Sequence, residues 1–125
     1  MARRSFAFQT TLASRSFAPW LKKLRADGFE VHLAFLSLPN PEMAIARVAE
    51  RVREGGHDVP EDVVRRRFAS GLSNFFTLHQ GVADTWQLFD NSELTFHQIA
   101  SSRAGQPPDI YDVKAWNNLT EQQKR

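Results

Sequence analysis

Residues 30–38 read Glu30-Val31-His32-Leu33-Ala34-Phe35-Leu36-Ser37-Leu38, an almost unbroken apolar run. A half-exposed strand would alternate apolar and polar residues, so this run fits a strand covered on both faces, as in parallel sheets flanked by helices. Pro39-Asn40-Pro41 ends it, since proline has no N–H to give to a ladder. The neighbouring segments agree with a parallel sheet. Residues 5–10 are short and aromatic, with Phe6 and Phe8, and predict a buried strand running into Thr10 and Thr11. Ser16 is placed to cap a helix over 17–27, with Pro19 tolerated in its first turn and Gly28 closing it. Its buried stripe would be Trp20, Leu21 and Leu24, with Lys22, Lys23 and Arg25 facing out. Residues 85–90 predict a third strand, and 94–100 alternate well enough for a fourth, at the sheet edge. Residues 101–108 read as loop, and 109–124 as one or two short helices. A strand, helix, strand, helix pair, strand order is α/β.

Between the second and third strands lies the most charged stretch. Ile45, Val48, Ala49 and Val52 recur at helical spacing, as do Val64, Phe68, Leu72, Phe75 and Phe76. An elbow, Gly55-Gly56-His57-Asp58-Val59-Pro60, separates the two helices, the second of which runs to about residue 79 before Gly81. Arg47, Arg51, Arg53, Arg65, Arg66 and Arg67 crowd both sides of it. Guanidinium groups beside a bendable hinge fit a flap that closes over phosphates. The plainer alternative pairs them with Glu50, Glu54, Glu61 and Asp62 in solvent, where such pairs contribute little. In α/β sheets ligands sit at the carboxyl ends of the strands. Gln9-Thr10-Thr11, residues 37–40 and Asp90-Asn91-Ser92 occupy such ends, within reach of the hairpin.

A length of 125 residues fits one domain. The absence of cysteine excludes disulfides and thiolate zinc sites. A formal charge of +2 gives no argument for nucleic acid. The first acidic residue is Asp27, so the start has the composition of a transit peptide, but its strand and helix patterns argue for folded structure. No apolar run approaches the roughly 20 residues of a membrane span, and a cytoplasmic protein is the expectation. His32, His57, His79 and His97 stand alone, which points to no metal site.

Taken together, Phe6-Ala7-Phe8-Gln9-Thr10-Thr11-Leu12, the 31–39 strand, Arg51-Val52-Arg53-Glu54-Gly55-Gly56-His57, Arg66-Arg67-Phe68, Asn74-Phe75-Phe76 and Asp90-Asn91-Ser92 resemble the zeta-toxin-like family of P-loop kinases. The resemblance implies a mononucleotide-kinase-like parallel sheet with a helical, arginine-bearing lid. Residues 1–102 would form the kinase domain's C-terminal portion and 103–125 a loop and short helical tail of that domain. It implies an ATP- and Mg²⁺-dependent phosphotransferase of a toxin–antitoxin system, acting on a nucleotide or phosphorylated small molecule; studied members phosphorylate a nucleotide-activated amino sugar. Arg53, Arg66 and Arg67 match the lid arginines that clamp the transferring phosphates. Gln9, Thr10 and Thr11 match a substrate-holding Glu-Thr-Thr, with Gln9 lacking the carboxylate and unable to act as a base. His57 matches the Gly-Gly-His elbow on the substrate side, and Asp90, Asn91 and Ser92 the loop near the nucleotide base.

One family element has no counterpart. P-loop kinases cradle phosphates in a Gly-rich turn followed by Lys and Ser/Thr. The glycines here are Gly28, Gly55, Gly56, Gly71, Gly81 and Gly105, and none precedes a lysine. In the family that loop and the general-base aspartate lie upstream of the match to Phe6, so the expectation is an N-terminally truncated kinase, inactive alone. From a different class comes a non-enzymatic interaction module. A sheet lacking its upstream strand offers an open edge to a protein partner or to a second copy, as a homo-oligomer.

Overall fold

The computed structural model describes residues 4–10, 17–93, 95–103 and 106–123. Its centre is β2 (Phe29–Ser37), where Val31, Leu33, Phe35 and Ser37 are buried and the alternate His32, Ala34 and Leu36 are half-buried. Both faces are covered, which is why the sequence shows no clean alternation. β1 (Arg4–Thr10) runs parallel to it, with Arg4 opposite Phe29 and Thr10 opposite Phe35. On the other side β3 (Thr85–Asp90) is also parallel, with His32 opposite Thr85 and Ser37 opposite Asp90. β4 (His97–Arg103) and β5 (Asp109–Ile110) continue the sheet antiparallel, giving the order β1-β2-β3-β4-β5.

The expected parallel sheet therefore holds for the first three strands, and an antiparallel pair extends it. β4 begins and ends three residues later than the 94–100 expectation, so part of the expected 101–108 loop is strand. A register irregularity at Leu88/Phe89 shifts its pairing. Nor is β4 the edge, because Ala100 pairs with Ile110 and Ser101 with Asp109.

α1 (Phe17–Ala26) connects β1 to β2, buries Leu21, and is followed by Gly28 at φ 92°, a left-handed turn that glycine adopts without strain. α2 (Pro41–Arg53) and α3 (Glu61–Asn74) form the hairpin. α3 passes into a π-helical segment, Phe75–His79, and a 3₁₀ turn, Gln80–Val82. α4 (Val113–Gln123) is a single helix.

The core is aromatic at its centre. Phe75 is fully buried, stacks on Phe35 at 4.8 Å and meets the Trp86 ring edge-on at 5.3 Å. Trp116 of α4 stacks on Trp86 at 6.1 Å, and Phe76 abuts it edge-on at 5.4 Å. Such ring pairs add about 0.5–1.5 kcal/mol each beyond their burial. One cluster thus joins the sheet, the end of α3 and α4. Asp84 pins the start of β2: its carboxylate accepts the Val31 N–H at 2.7 Å and faces Arg25 of α1 at 3.2 Å. Among the described residues no helix is long and apolar enough to cross a membrane.

Candidate functional site

Three parallel strands end at one edge of the sheet. At the end of β3, Asp90 Oδ1 accepts the Ser92 N–H at 2.8 Å, folding Asp90-Asn91-Ser92 into a tight turn of the kind aspartate favours. The Asn91 N–H donates to the Ser37 carbonyl at 2.8 Å, so the turn is fastened to the end of β2. The structure therefore brings Ser37, Asp90, Asn91 and Ser92 together, as the strand-end reading expects. Gln9 and Thr10 sit at the same end of β1 by their backbone, while their side chains and Thr11 lie outside the described residues.

The hairpin rises from this edge. Asn40 has an extended backbone, and its Oδ1 accepts the Met43 N–H at 2.9 Å, satisfying an amide that the first turn of α2 leaves free. Pro41 follows in the first turn, where a missing N–H costs nothing. One turn and a half later the Arg47 guanidinium donates through Nη2 to the Asn91 carbonyl. That bond ties the hairpin to the turn after β3.

The elbow needs both its glycines. Gly55 has φ 96°, and the Gly56 N–H donates to the Arg51 carbonyl at 2.7 Å. A Cβ on residue 56 would stand 2.9 Å from that carbonyl oxygen, closer than a side chain tolerates. His57 is exposed on the far side of this turn. Beyond it, Arg65 of α3 reaches back to Glu42 at 3.0 Å and along its own helix to Glu61 at 3.2 Å. The hydrogen bond from Arg65 holds the Glu42 carboxyl below its ordinary range, and Glu42 in turn raises Arg65. Of the expected solvent pairings this realises one, with Glu61. Arg53, Arg66 and Arg67 are exposed, and their side chains make no hydrogen bond or ion pair among the described residues.

Among the described residues the arginine bonded to the turn after β3 is Arg47. A signal was available. Arg47 lies four residues from Met43 and three from Ala44, on the half-buried face of α2, where a charged residue is out of pattern.

α4 closes the edge from the other side. Asn118 Nδ2 and Gln122 Nε2 both donate to the Pro39 carbonyl, at 2.9 and 2.7 Å. Leu119 is buried beneath them, and a cavity of about 50 Å³ remains among Ser37, Pro39, Asp90, Ile99, Ala115 and Leu119. A wider cleft of about 600 Å³ opens between α3 and α4, past Phe68, Ser73, Arg65 and Gln122. The start of α4 is fixed by Asp112, whose Oδ1 accepts the Ala115 N–H at 3.0 Å while Oδ2 pairs with His97 at 2.8 Å. The Ala115 N–H first, and His97 second, lower the Asp112 carboxyl.

The described residues include no Gly-rich turn followed by a lysine that would cradle the phosphates of ATP–Mg²⁺. The left-handed glycines, Gly28 and Gly55, follow helices rather than strand ends, and neither precedes a lysine. No group of three or more His, Asp or Glu able to hold a cation occurs among the described residues.

The family profile described as Zeta toxin matches residues 1–102. An uncharacterized protein of Haemophilus influenzae (strain ATCC 51907 / DSM 11121 / KW20 / Rd) is 35% identical over 63 residues, which is 50% of this chain and 45% of that protein. The match thus spans about half the length of that curated relative. No solved structure matches.

Proposed function

The chain belongs to the Zeta toxin family, and from that premise we propose that these 125 residues carry the lid and the acceptor-facing edge of an ATP-dependent small-molecule kinase. The family points to kinase-like chemistry on a nucleotide substrate. The observation that carries the reading is the hairpin's attachment to the strand ends through Arg47 and Asn91. In phosphoryl transfer there is little covalent work for a protein to do, so catalysis is positioning and charge stabilisation. Lid arginines supply the second. Arg53, Arg66 and Arg67 have no carboxylate partner among the described residues and would meet the transferring phosphates once the hairpin closes, with His57 at its turning point. Gln9, Thr10 and Thr11 would hold the acceptor, and Asp90, Asn91 and Ser92 the nucleotide base.

Transfer itself needs a phosphate cradle and a base that this set of residues does not provide, so the 125-residue polypeptide is expected to be inactive alone. The test is ADP release from ATP and Mg²⁺, with and without an amino-sugar nucleotide. No release is expected. Turnover abolished by changing Arg66 and Arg67 to glutamine would show that this chain is sufficient.

A second reading rests on β1, a seven-residue strand that pairs with β2 alone among the described residues. An open strand of that length is a template for another chain, whether a second copy or an antitoxin-like partner. Sedimentation at micromolar concentration tests it, and a monomer with a sharply cooperative melt would end it.

A further inference from the structure

Among the described residues two arginines are half-buried, and their company differs. Arg25 faces the Asp84 carboxylate at 3.2 Å. Arg47 has no carboxylate partner among the described residues, and its one bond goes to the neutral carbonyl of Asn91. Taking a cation partly out of water is costly unless an anion compensates it. A guanidinium has five N–H donors in a planar fork, and one bond to a carbonyl leaves a bidentate edge unspent. The Asn91 carbonyl meanwhile holds the side chain in one orientation, so little rotamer freedom remains to be lost on binding. The position is the carboxyl edge of a parallel sheet, where α/β proteins take their ligands.

We propose that Arg47 binds a phosphate group of the ligand, oriented by the Asn91 carbonyl, and is the lid arginine already in place before the hairpin closes. Arg53, Arg66 and Arg67 would then add to a phosphate that Arg47 has caught. A phosphate fits better than a carboxylate because its additional oxygens also serve arginines arriving from α3. The proposal rests on the kinase reading for its ligand class, but it assigns the first contact to a residue outside the matched lid motif. It also makes the Asn91 turn a sensor of occupancy, since any pull on Arg47 is felt at that carbonyl.

The test is a titration of the ¹⁵N-labelled chain with pyrophosphate, following the Asn91 and Ser92 amides. The wild-type chain should bind weakly, in the millimolar range once salt screening is allowed for, and these amides should move. Arg47→Gln keeps a donor for the carbonyl but removes the charge, and should weaken binding about tenfold. Changing Arg53, Arg66 and Arg67 together to glutamine should weaken it less than that and leave the Asn91 response intact. Binding by Arg47→Gln equal to wild type overturns this assignment and leaves the kinase reading standing. No binding by the wild-type chain overturns both. Should Arg47→Gln fail to fold, Arg47→Lys decides: it keeps the charge but cannot form the fork, and undiminished affinity would reject the proposal.

Discussion

The sheet and α2, the first helix of the arginine hairpin, are held by different kinds of contact. β2 buries four of its nine residues, and Phe75 locks it to Trp86 through stacked and edge-on rings. α2 buries none of its thirteen. The contacts that tie α2 down are polar, namely the Asn40 cap, the Arg65–Glu42 pair and the Arg47–Asn91 bond, whereas α3 buries Val64 and Leu72. Burial is additive and indifferent to direction, so it makes a scaffold. A few polar bonds can be exchanged for bonds to a ligand, so they suit a part that moves. The molecule thus puts its stability in one region and its adjustable contacts in the other.

The sharpest way to break that contrast is Phe75→Ala, which should destabilise the chain by about 3–5 kcal/mol, measured by urea unfolding. A loss comparable to a surface change would mean that the ring cluster is not the anchor. Next comes Asp84→Ala. It leaves the N–H of the fully buried Val31 without its partner and should cost about 1–3 kcal/mol. In α2 the expected cost is smaller: Asn40→Ala removes one cap, worth about 1 kcal/mol. If it costs as much as Phe75→Ala, α2 is part of the scaffold after all.

The smallest effect is a pH dependence at α4. The Asp112 carboxyl is lowered by the Ala115 N–H and by His97. Its contribution is therefore complete above the ordinary carboxylate value of 3.8 and is lost as pH falls through its lowered value. Asp112→Asn can still cap the helix but cannot titrate. The variant should melt slightly below wild type at neutral pH, and the difference should shrink in acid; a gap that widens in acid would reverse the sign argued here.

Much of the scaffold was legible because β2 carries its burial in its composition. The apolar run 30–38 named a two-faced strand, and Gly28, Gly55 and Pro39 marked where elements stop. β5 was not legible: two residues, Asp109 and Ile110, carry no periodicity, and their pairing with β4 is a tertiary event. The π-helical turn at Phe75–His79 was equally hidden, since the spacing of Phe75 and Phe76 looks the same in an α-helix. At the candidate site, the strand-end grouping followed from parallel order alone. Arg47 did not, because choosing among six arginines required knowing which helix face meets a turn 44 residues away.

The Pro39 carbonyl has a consequence for how the chain folds. It accepts from Asn118 and Gln122, which lie 79 and 83 residues further on. Contacts so distant in sequence carry the largest loop-closure entropy and form only once the intervening chain is in order. The loop that launches the hairpin is therefore finished by a segment made after all five strands. During synthesis the sheet can assemble while the carboxyl ends of its parallel strands stay unsealed, and that edge should acquire hydrogen-exchange protection in the final refolding phase.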